Sequence, residues 1–266
     1  MVEGLSVFFP CYNEEKNIRD TVNKAVKVLK NLTIPWEIII INDGSKDQTA
    51  RVVDDIASKN PKIRVIHHPK NMGYGGSLKS GFYNAKYPWI VFTDADGQFD
   101  FSELNNFIDT QKKTEADLVI GYYLKRQVVW LTRFTSKIWE LIVYMLFGLK
   151  VRDIDCGFKL ISKKVIDTIP RLESERGAFI SSELLIKARQ TGFKIIEIGV
   201  HHFPRVMGQG TARNLNVIIK SFMDLGLLWG KIVWPKIKWE ALVIGLILLI
   251  ASFTRLYKID QYMTFL

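Results

Sequence analysis

The sequence predicts an α/β protein built on a mostly parallel sheet, and three observations predict it. Short apolar runs alternate with helical patterns through the first 120 residues. The runs are apolar throughout, as in strands covered on both faces. Each of the first four also ends in a polar cluster, and open sheets of this kind bind ligands beyond the carboxyl ends of their strands.

Taken in order, Leu5–Phe9, Glu37–Ile41, Ile63–His67 and Trp89–Thr93 each read as a buried strand, and Leu118–Ile120 starts another. Helices are expected between them over Glu15–Leu32, opened by Asn13, over Asp47–Ser58, opened by Ser45 or Asp47, and over Gly76–Ala85. The polar clusters follow the strands one by one. They are Pro10-Cys11-Tyr12-Asn13-Glu14, Asn42-Asp43-Gly44-Ser45, Asn71-Met72-Gly73-Tyr74-Gly75-Gly76 and Asp94-Ala95-Asp96-Gly97-Gln98. Four such clusters at strand ends describe one site of an α/β nucleotide-binding architecture.

The second half changes character. Val128–Leu149 is rich in Trp, Phe, Ile and Leu, with Arg133, Lys137 and Glu140 along one side. It fits a core helix and a helix lying at a membrane interface alike. Leu215–Trp234 is a second such segment, broken by Pro235. Trp239–Tyr257 is the transmembrane candidate. Its uncharged part, Ala241–Thr254, has 14 residues, and the 19 residues from Trp239 to Tyr257 span about 28 Å at roughly 1.5 Å per residue. Trp239 and Tyr257 suit the two interfaces, and Lys231, Lys236 and Lys238 favour a cytosolic amino-terminal side.

Composition narrows the function. Of 266 residues, 48% are hydrophobic and 24% charged, which excludes a disordered chain. A mean hydropathy of +0.06 in so charged a chain means that the apolar residues are concentrated. The net charge of +10, from 37 Lys and Arg against 27 Asp and Glu, points to a polyanionic partner: nucleic acid, a phosphorylated ligand or an anionic membrane. A nucleic-acid motif is missing, so that partner is set aside. Two cysteines, Cys11 and Cys156, make neither a disulfide framework nor a four-ligand zinc site, and a reducing, cytosolic setting fits. The MVEGLSVFF start lacks the basic and apolar regions of a cleaved signal, so none is expected.

The clusters carry chemistry. Asp94-x-Asp96 sets two carboxylates on one side of a strand end, where they can share a hard divalent cation that keeps positions open for phosphate oxygens. Gln98 is placed to add a ligand or a phosphate contact. In Asn42–Thr49, Gly44 permits a tight turn and Asp43 is left facing the crevice, where its carboxylate can accept from a nucleobase N–H. Asn71-x-Gly73-x-Gly75-Gly76 opens a helix, with Lys79 one turn on, and suits close approach to phosphate.

In this combination the chain resembles the family 2 glycosyltransferases, which have the GT-A fold. The matching elements are Pro10-x-Tyr12-Asn13-Glu14-Glu15, Asn42-Asp43-Gly44-Ser45-x-Asp47-x-Thr49, Asn71-x-Gly73-x-Gly75-Gly76-x-x-Lys79-x-Gly81 and Asp94-Ala95-Asp96-Gly97-Gln98. Downstream, Arg152-Asp153-Ile154-Asp155-Cys156-Gly157-Phe158-Lys159, Ser182-Glu183-Leu184-Leu185 and His202-Phe203-Pro204-Arg205-x-x-Gly208 resemble blocks of one subgroup. That subgroup is the polyprenyl-phosphate sugar synthases, similar to dolichyl-phosphate mannose synthase.

The resemblance implies transfer of a sugar from a GDP- or UDP-linked donor to a polyprenyl phosphate, with inversion, at the cytosolic face of a membrane. It assigns Pro10, Tyr12, Glu14, Asp43, Gly73, Lys79 and Asp94 to the nucleotide-sugar, and Asp94, Asp96 and Gln98 to Mg²⁺ or Mn²⁺. Arg205, His202 and Arg213 go to the acceptor phosphate, and Asp96, Arg205, Asp153 and Asp155 form the catalytic set. Asp153 and Asp155 both remain candidates to face the acceptor, and Arg213 stands where the family commonly has a lysine.

A phosphate acceptor is already ionised at neutral pH (second pKa about 6) and needs no base, which agrees with a sequence that offers no evident Ser/His/Asp or Cys/His set. Asp153, Asp155 and Glu183 are then expected to organise the acceptor loop, His67 and His68 to be structural, and Cys11 and Cys156 to pack. The organisation expected is a catalytic domain over 1–213, an amphipathic interfacial helix over 214–236, and a transmembrane helix with a short tail over 237–266. A homo-oligomer or a membrane-embedded partner glycosyltransferase is compatible with the tail, as is a chain that is one piece of a longer enzyme. Two other readings stay open: a sugar or protein hydroxyl acceptor, which would need Asp153 or Asp155 as base, and an idle membrane-anchored nucleotide-binding subunit.

Overall fold

The computed structural model describes residues 2–124, 130–174, 179–204, 215–236 and 247–253. Seven strands form one sheet: β1 (Leu5–Cys11), β2 (Trp36–Asn42), β3 (Ile63–His67), β4 (Trp89–Phe92), β5 (Leu118–Tyr123), β6 (Lys159–Ser162) and β7 (Ile195–Val200). Their order is β3-β2-β1-β4-β6-β5-β7. Strands β1, β2, β3 and β4 pair in parallel, as do β5 and β7, while β6 runs antiparallel to both β4 and β5. The mostly parallel α/β sheet of the GT-A fold is therefore present.

The helices are α1 (Ile18–Lys30), α2 (Thr49–Ser58), α3 (Gly73–Asn84), α4 (Leu104–Thr114), α5 (Trp130–Phe147), α6 (Lys163–Thr168), α7 (Phe179–Gln190) and α8 (Leu215–Ile232). Strand β2, Trp-Glu-Ile-Ile-Ile-Ile-Asn, is buried at every position, and Ile38–Ile41 within it is an unbroken apolar run. The core gathers Leu5, Val7 and Phe9 of β1, Ile38 and Ile40 of β2, and Val91 of β4 with Ile18, Val22 and Leu29 of α1 and Phe107 of α4. Phe158 lies fully buried and stacks on Phe107 at 4.4 Å between ring centroids.

Reversal of β6 decides where the site is built. The six other strands share one direction, so the segments after β1, β2, β3, β4 and β7 collect at one edge. The antiparallel β6 starts at that same edge, which brings the segment before it, Arg152–Phe158, there as well.

Two helix starts differ from expectation. Helix α1 begins at Ile18 rather than Glu15, because Asn13 adopts φ +57° and stitches two loops together. Its backbone N–H donates to Ser45 Oγ (3.0 Å), and its Oδ1 accepts from Lys46 N–H (2.8 Å). Helix α3 begins at Gly73 rather than Gly76, because Asp43, far away in sequence, receives its first N–H groups.

The chain divides into two compact units, Met1–Asp224 and Leu225–Leu266. In the first, α5 leaves Ile138, Leu141, Tyr144 and Met145 exposed while Val143 and Phe147 are buried. In the second, Leu225 and Leu228 are buried, Leu227 and Trp234 are exposed, and residues 247–253 are helical with Ile247–Ile250 and Phe253 exposed. Among the described residues no helix is long and apolar enough to cross a membrane. The expected span Trp239–Tyr257 lies outside the described residues except for 247–253.

Candidate active site

Asp43 joins the β2 and β3 ends of the site. Its carboxylate is buried, with Oδ1 accepting from Met72 N–H (2.8 Å) and lying 2.6 Å from His68 Nδ1, and Oδ2 accepting from Gly73 N–H (2.9 Å). A carboxylate on the leading N–H groups of a helix acts as an N-cap and complements the helix dipole. Of the backbone N–H groups at the start of α3, those of Met72 and Gly73 are thus committed to Asp43. Gly44 is required in the same turn: its φ is +63°, and a β-carbon there would stand 2.5 Å from the Lys70 carbonyl carbon.

His68 extends this into a relay that sequence reasoning missed. Its Nε2 lies 2.8 Å from Ser80 Oγ, completing a Ser80–His68–Asp43 arrangement. Residues from α3, the end of β3 and the end of β2 meet here, at sequence separations that no local pattern reveals. The relay fixes Asp43, so the structural role expected for His68 holds. His67 likewise bonds Asn42 (3.0 Å) and Asp54 (3.0 Å).

Pro10 and Tyr12 are half-buried beside this turn, and Glu14 is buried, accepting from Asn17 Nδ2 at 2.7 Å. Lys79, expected at the donor, donates to the carbonyl of Glu173 (3.3 Å). Both cysteines pack as expected. Burial and the nearby Glu14 and Asp47 push the Cys11 thiol far above its ordinary range, and burial pushes Cys156 up to about 12.

Asp94 and Asp96 follow β4. Asp94 is half-buried, with Oδ1 accepting from the Tyr74 hydroxyl at 3.1 Å, and Asp96 is buried, with Oδ1 accepting from Gln98 N–H at 3.1 Å. Burial first, then the Asp94 charge, raises the Tyr74 phenol well above its ordinary value, so it stays a donor to that carboxylate. The turn is docked on α1 through Thr21 Oγ1, which donates to Ala95 O at 3.1 Å. Two hard carboxylates suit Mg²⁺ or Mn²⁺, which commonly take one or two protein carboxylates and fill other positions from substrate phosphates and water. Among the described residues no group of three or more His, Cys, Asp or Glu side chains is placed to hold a metal ion.

Gln98 ties two segments together. Its Nε2 donates to Phe203 O (2.9 Å), and Phe203 N–H donates back to Gln98 O (2.8 Å). Next to it, Phe99 and His202 form an isolated β-bridge, with the His202 ring 5.3 Å from Phe99 and 4.5 Å from Tyr123. His201 is anchored to Glu103, Nδ1 to Oε1 at 2.7 Å. The carboxylate loop and the His201–Pro204 segment are therefore one structure. Arg205 and Arg213 lie outside the described residues.

Before β6, Asp153 is buried and its Oδ1 accepts from Asp155 N–H (3.0 Å), while Asp155 is half-buried. Lys159, also missed, is fully buried at the start of β6 and donates to the Cys156 carbonyl. Glu183 holds a different segment. It accepts from Glu173 N–H (2.8 Å), Ser174 N–H (2.9 Å), Ser174 Oγ (2.6 Å) and Lys187 Nζ (2.6 Å).

Residues 6–169 match the model of a family described as Glycosyl transferase family 2. Among curated proteins, a dolichyl-phosphate beta-glucosyltransferase of Dictyostelium discoideum is 33% identical over 215 residues, covering 74% of this chain and 65% of that protein. The Homo sapiens protein of the same description is 30% identical over 216 residues, covering 74% and 66%. The chain thus matches about two thirds of the length of these relatives. They are glucosyltransferases where the sequence suggested likeness to a mannose synthase, so the subgroup agrees and the member differs. Among solved structures, glucosyl-3-phosphoglycerate synthase of Mycobacterium tuberculosis, crystallised with Mn²⁺ and UDP-glucose, superposes with a TM-score of 0.62 at 20% identity, covering 86% of this chain and 79% of that one. That likeness shows the fold.

Proposed function

The chain belongs to glycosyl transferase family 2, and from that premise we propose that it transfers a single sugar, glucose being the first to test, from a uridine-diphosphate sugar to a polyprenyl phosphate. The relatives named as dolichyl-phosphate beta-glucosyltransferases support the acceptor class and the sugar. The observation that carries the reading is the double hydrogen bond between Gln98 and Phe203, which binds the Asp94–Gln98 loop to the segment leading into Arg205. A donor diphosphate at the carboxylates and an anionic acceptor at the basic segment then meet at one place.

Asp94 and Asp96 would hold Mg²⁺ or Mn²⁺, with Gln98 buttressing the loop. Such a cation neutralises charge on a leaving diphosphate. Pro10, Tyr12, Glu14, Gly73 and the Asp43 turn line the nucleotide side. His202, Arg205 and Arg213 orient the acceptor phosphate, whose oxygen attacks the anomeric carbon from the face opposite the diphosphate and so inverts it. The attacking oxygen is ionised at neutral pH, since the second pKa is about 6. The commitment of Glu183 and Asp153 to backbone N–H groups agrees with a reaction that asks for no strong base.

The site works at the cytosolic face of a membrane. Leu141, Tyr144 and Met145 on α5 are each about half exposed or more, and the chain carries a net charge of +10. An exposed apolar row on a basic protein suits an anionic lipid surface, where a lipid-linked phosphate is presented. The test offers the purified full chain UDP-glucose and Mn²⁺ with either a polyprenyl phosphate or the corresponding polyprenol. Labelled lipid from the phosphate alone supports the reading. Equal transfer to the alcohol contradicts it.

A further inference from the structure

Two elements from elsewhere in the chain bound the Asp94 carboxylate. Tyr74, from α3, donates to its Oδ1 at 3.1 Å. On the other side lies the bare Cα of Gly157: a β-carbon there would stand 2.4 Å from Asp94 Oδ2 and 2.9 Å from its Cγ. The carboxylate therefore occupies space that any other residue at 157 would claim.

Gly157 is itself held in a braced turn. On one side Asp155 N–H donates to Asp153 Oδ1 at 3.0 Å. On the other, Lys159 Nζ donates to the Cys156 carbonyl. Lys159 is 0% exposed, with its ammonium 5.3 Å from the Phe92 ring centroid. In register it pairs with Phe92, two residues before Asp94. An ammonium buried this deeply needs compensating negative charge. The carboxylates around it are those of Asp153, Asp155 and Asp94, whose charges oppose the downward pull of burial on its pKa. The carboxylates of the site thus have the amino group of Lys159 near them, contributed by β6.

We propose that Gly157 and Lys159 are positioning residues of the cation site: Gly157 leaves the slot in which the Asp94 carboxylate sits, and Lys159 sets from behind the field that this carboxylate presents to a divalent ion. The inference rests on the assignment of Asp94 and Asp96 to Mg²⁺ or Mn²⁺. It gives two effects of opposite sign. Lys159→Met keeps the length of the side chain and deletes a positive charge, so Mn²⁺ binds more tightly, by about tenfold, or ~1.4 kcal/mol. Gly157→Ala displaces the Asp94 carboxylate, so Mn²⁺ binds more weakly by about tenfold or more. Lys159→Arg keeps the charge and stays within about threefold of the original chain.

The experiment titrates the full chain and each variant with Mn²⁺ in the presence of UDP, following free Mn²⁺ by electron paramagnetic resonance. The titration returns the dissociation constant and the number of sites separately. A lysine serving only to keep the protein folded would lower the number of sites and leave the constant unchanged. Tighter binding in Lys159→Met with weaker binding in Gly157→Ala supports the inference. An unchanged constant in either variant, or weaker binding in Lys159→Met, overturns it. Should Lys159→Met fail to fold, Gly157→Ala decides, and an unchanged constant there is again fatal. Absence of Mn²⁺ binding by the original chain refutes the cation assignment and this inference together, whereas normal binding with unresponsive variants refutes the inference alone.

Discussion

Replacing Glu183 by Ala tests whether this glutamate anchors a loop or acts in the chemistry. Its side chain and that of its partner Lys187 are 2% and 4% exposed, and the ion pair measures 2.6 Å. Three further donors, Glu173 N–H, Ser174 N–H and Ser174 Oγ, converge on the same carboxylate. Lys187 in turn donates to Arg171 O at 2.8 Å. Removing one partner of a buried pair leaves the other charge uncompensated and costs about 3–5 kcal/mol. At roughly 2–4 °C per kcal/mol for a chain of this size, the melting temperature should fall by about 6–20 °C. Urea unfolding followed by circular dichroism measures the loss. The double variant Glu183→Met with Lys187→Met removes both charges and should recover a good part of it. A Glu183→Ala protein of unchanged stability that has nonetheless lost transfer would refute the anchoring role and make Glu183 a catalytic residue.

Acid should unfold the protein through the same groups. Burial pushes the Glu183 and Glu37 carboxyls up, but hydrogen bonds from Lys187 and Ser174 in the one case, and from Arg64 and Ser6 in the other, outweigh it and leave both below the ordinary glutamate value. Lowered carboxyls contribute stability above the unfolded pKa, about 4.3, and lose it as the pH falls through the folded value. The urea midpoint should therefore hold from pH 7 to about 5 and drop below about 4.5, and a midpoint that rises on acidification contradicts this. Gly81→Ala should destabilise by about 1–3 kcal/mol, because its β-carbon would stand 2.4 Å from the Phe8 ring, and an unchanged melting temperature would show that the ring can move. Charging the exposed apolar row of α5 with Leu141→Asp and Met145→Asp should cut co-sedimentation with anionic vesicles by more than about tenfold. Undiminished sedimentation would place the membrane contact elsewhere.

The parts of the fold legible in the sequence were those whose chemistry is continuous along the chain. Strands β1, β2 and β4 announce themselves by short apolar runs, Val7–Phe9, Ile38–Ile41 and Trp89–Phe92, and the terminal clusters follow directly. Strand β6 was not legible: it is four residues long and begins with Lys159, a charged residue that is fully buried. Strand β7 is half-buried over most of its length and carries Glu197 and Gly199, so it shows neither a pure apolar run nor a clean alternation. The site divides the same way. Asp94, Asp96 and Gln98 are close in sequence and were found together. The hydrogen bonds that fix Asp43 leave no local signal, because its partners, His68, Met72 and Gly73, lie 25 to 30 residues away. The Gln98–Phe203 tie spans 105 residues and leaves no local signal.

The measurement that bears most directly on the central claim follows label from UDP-[¹⁴C]glucose into the lipid phase, with a polyprenyl phosphate as acceptor. The original chain and Asp96→Ala are compared, each with Mn²⁺ and with EDTA. The account predicts lipid-linked glucose from the original chain with Mn²⁺, its loss with EDTA, and its loss in an Asp96→Ala protein whose circular dichroism is unchanged. Equal incorporation by Asp96→Ala, or lipid product that is indifferent to EDTA, would contradict it.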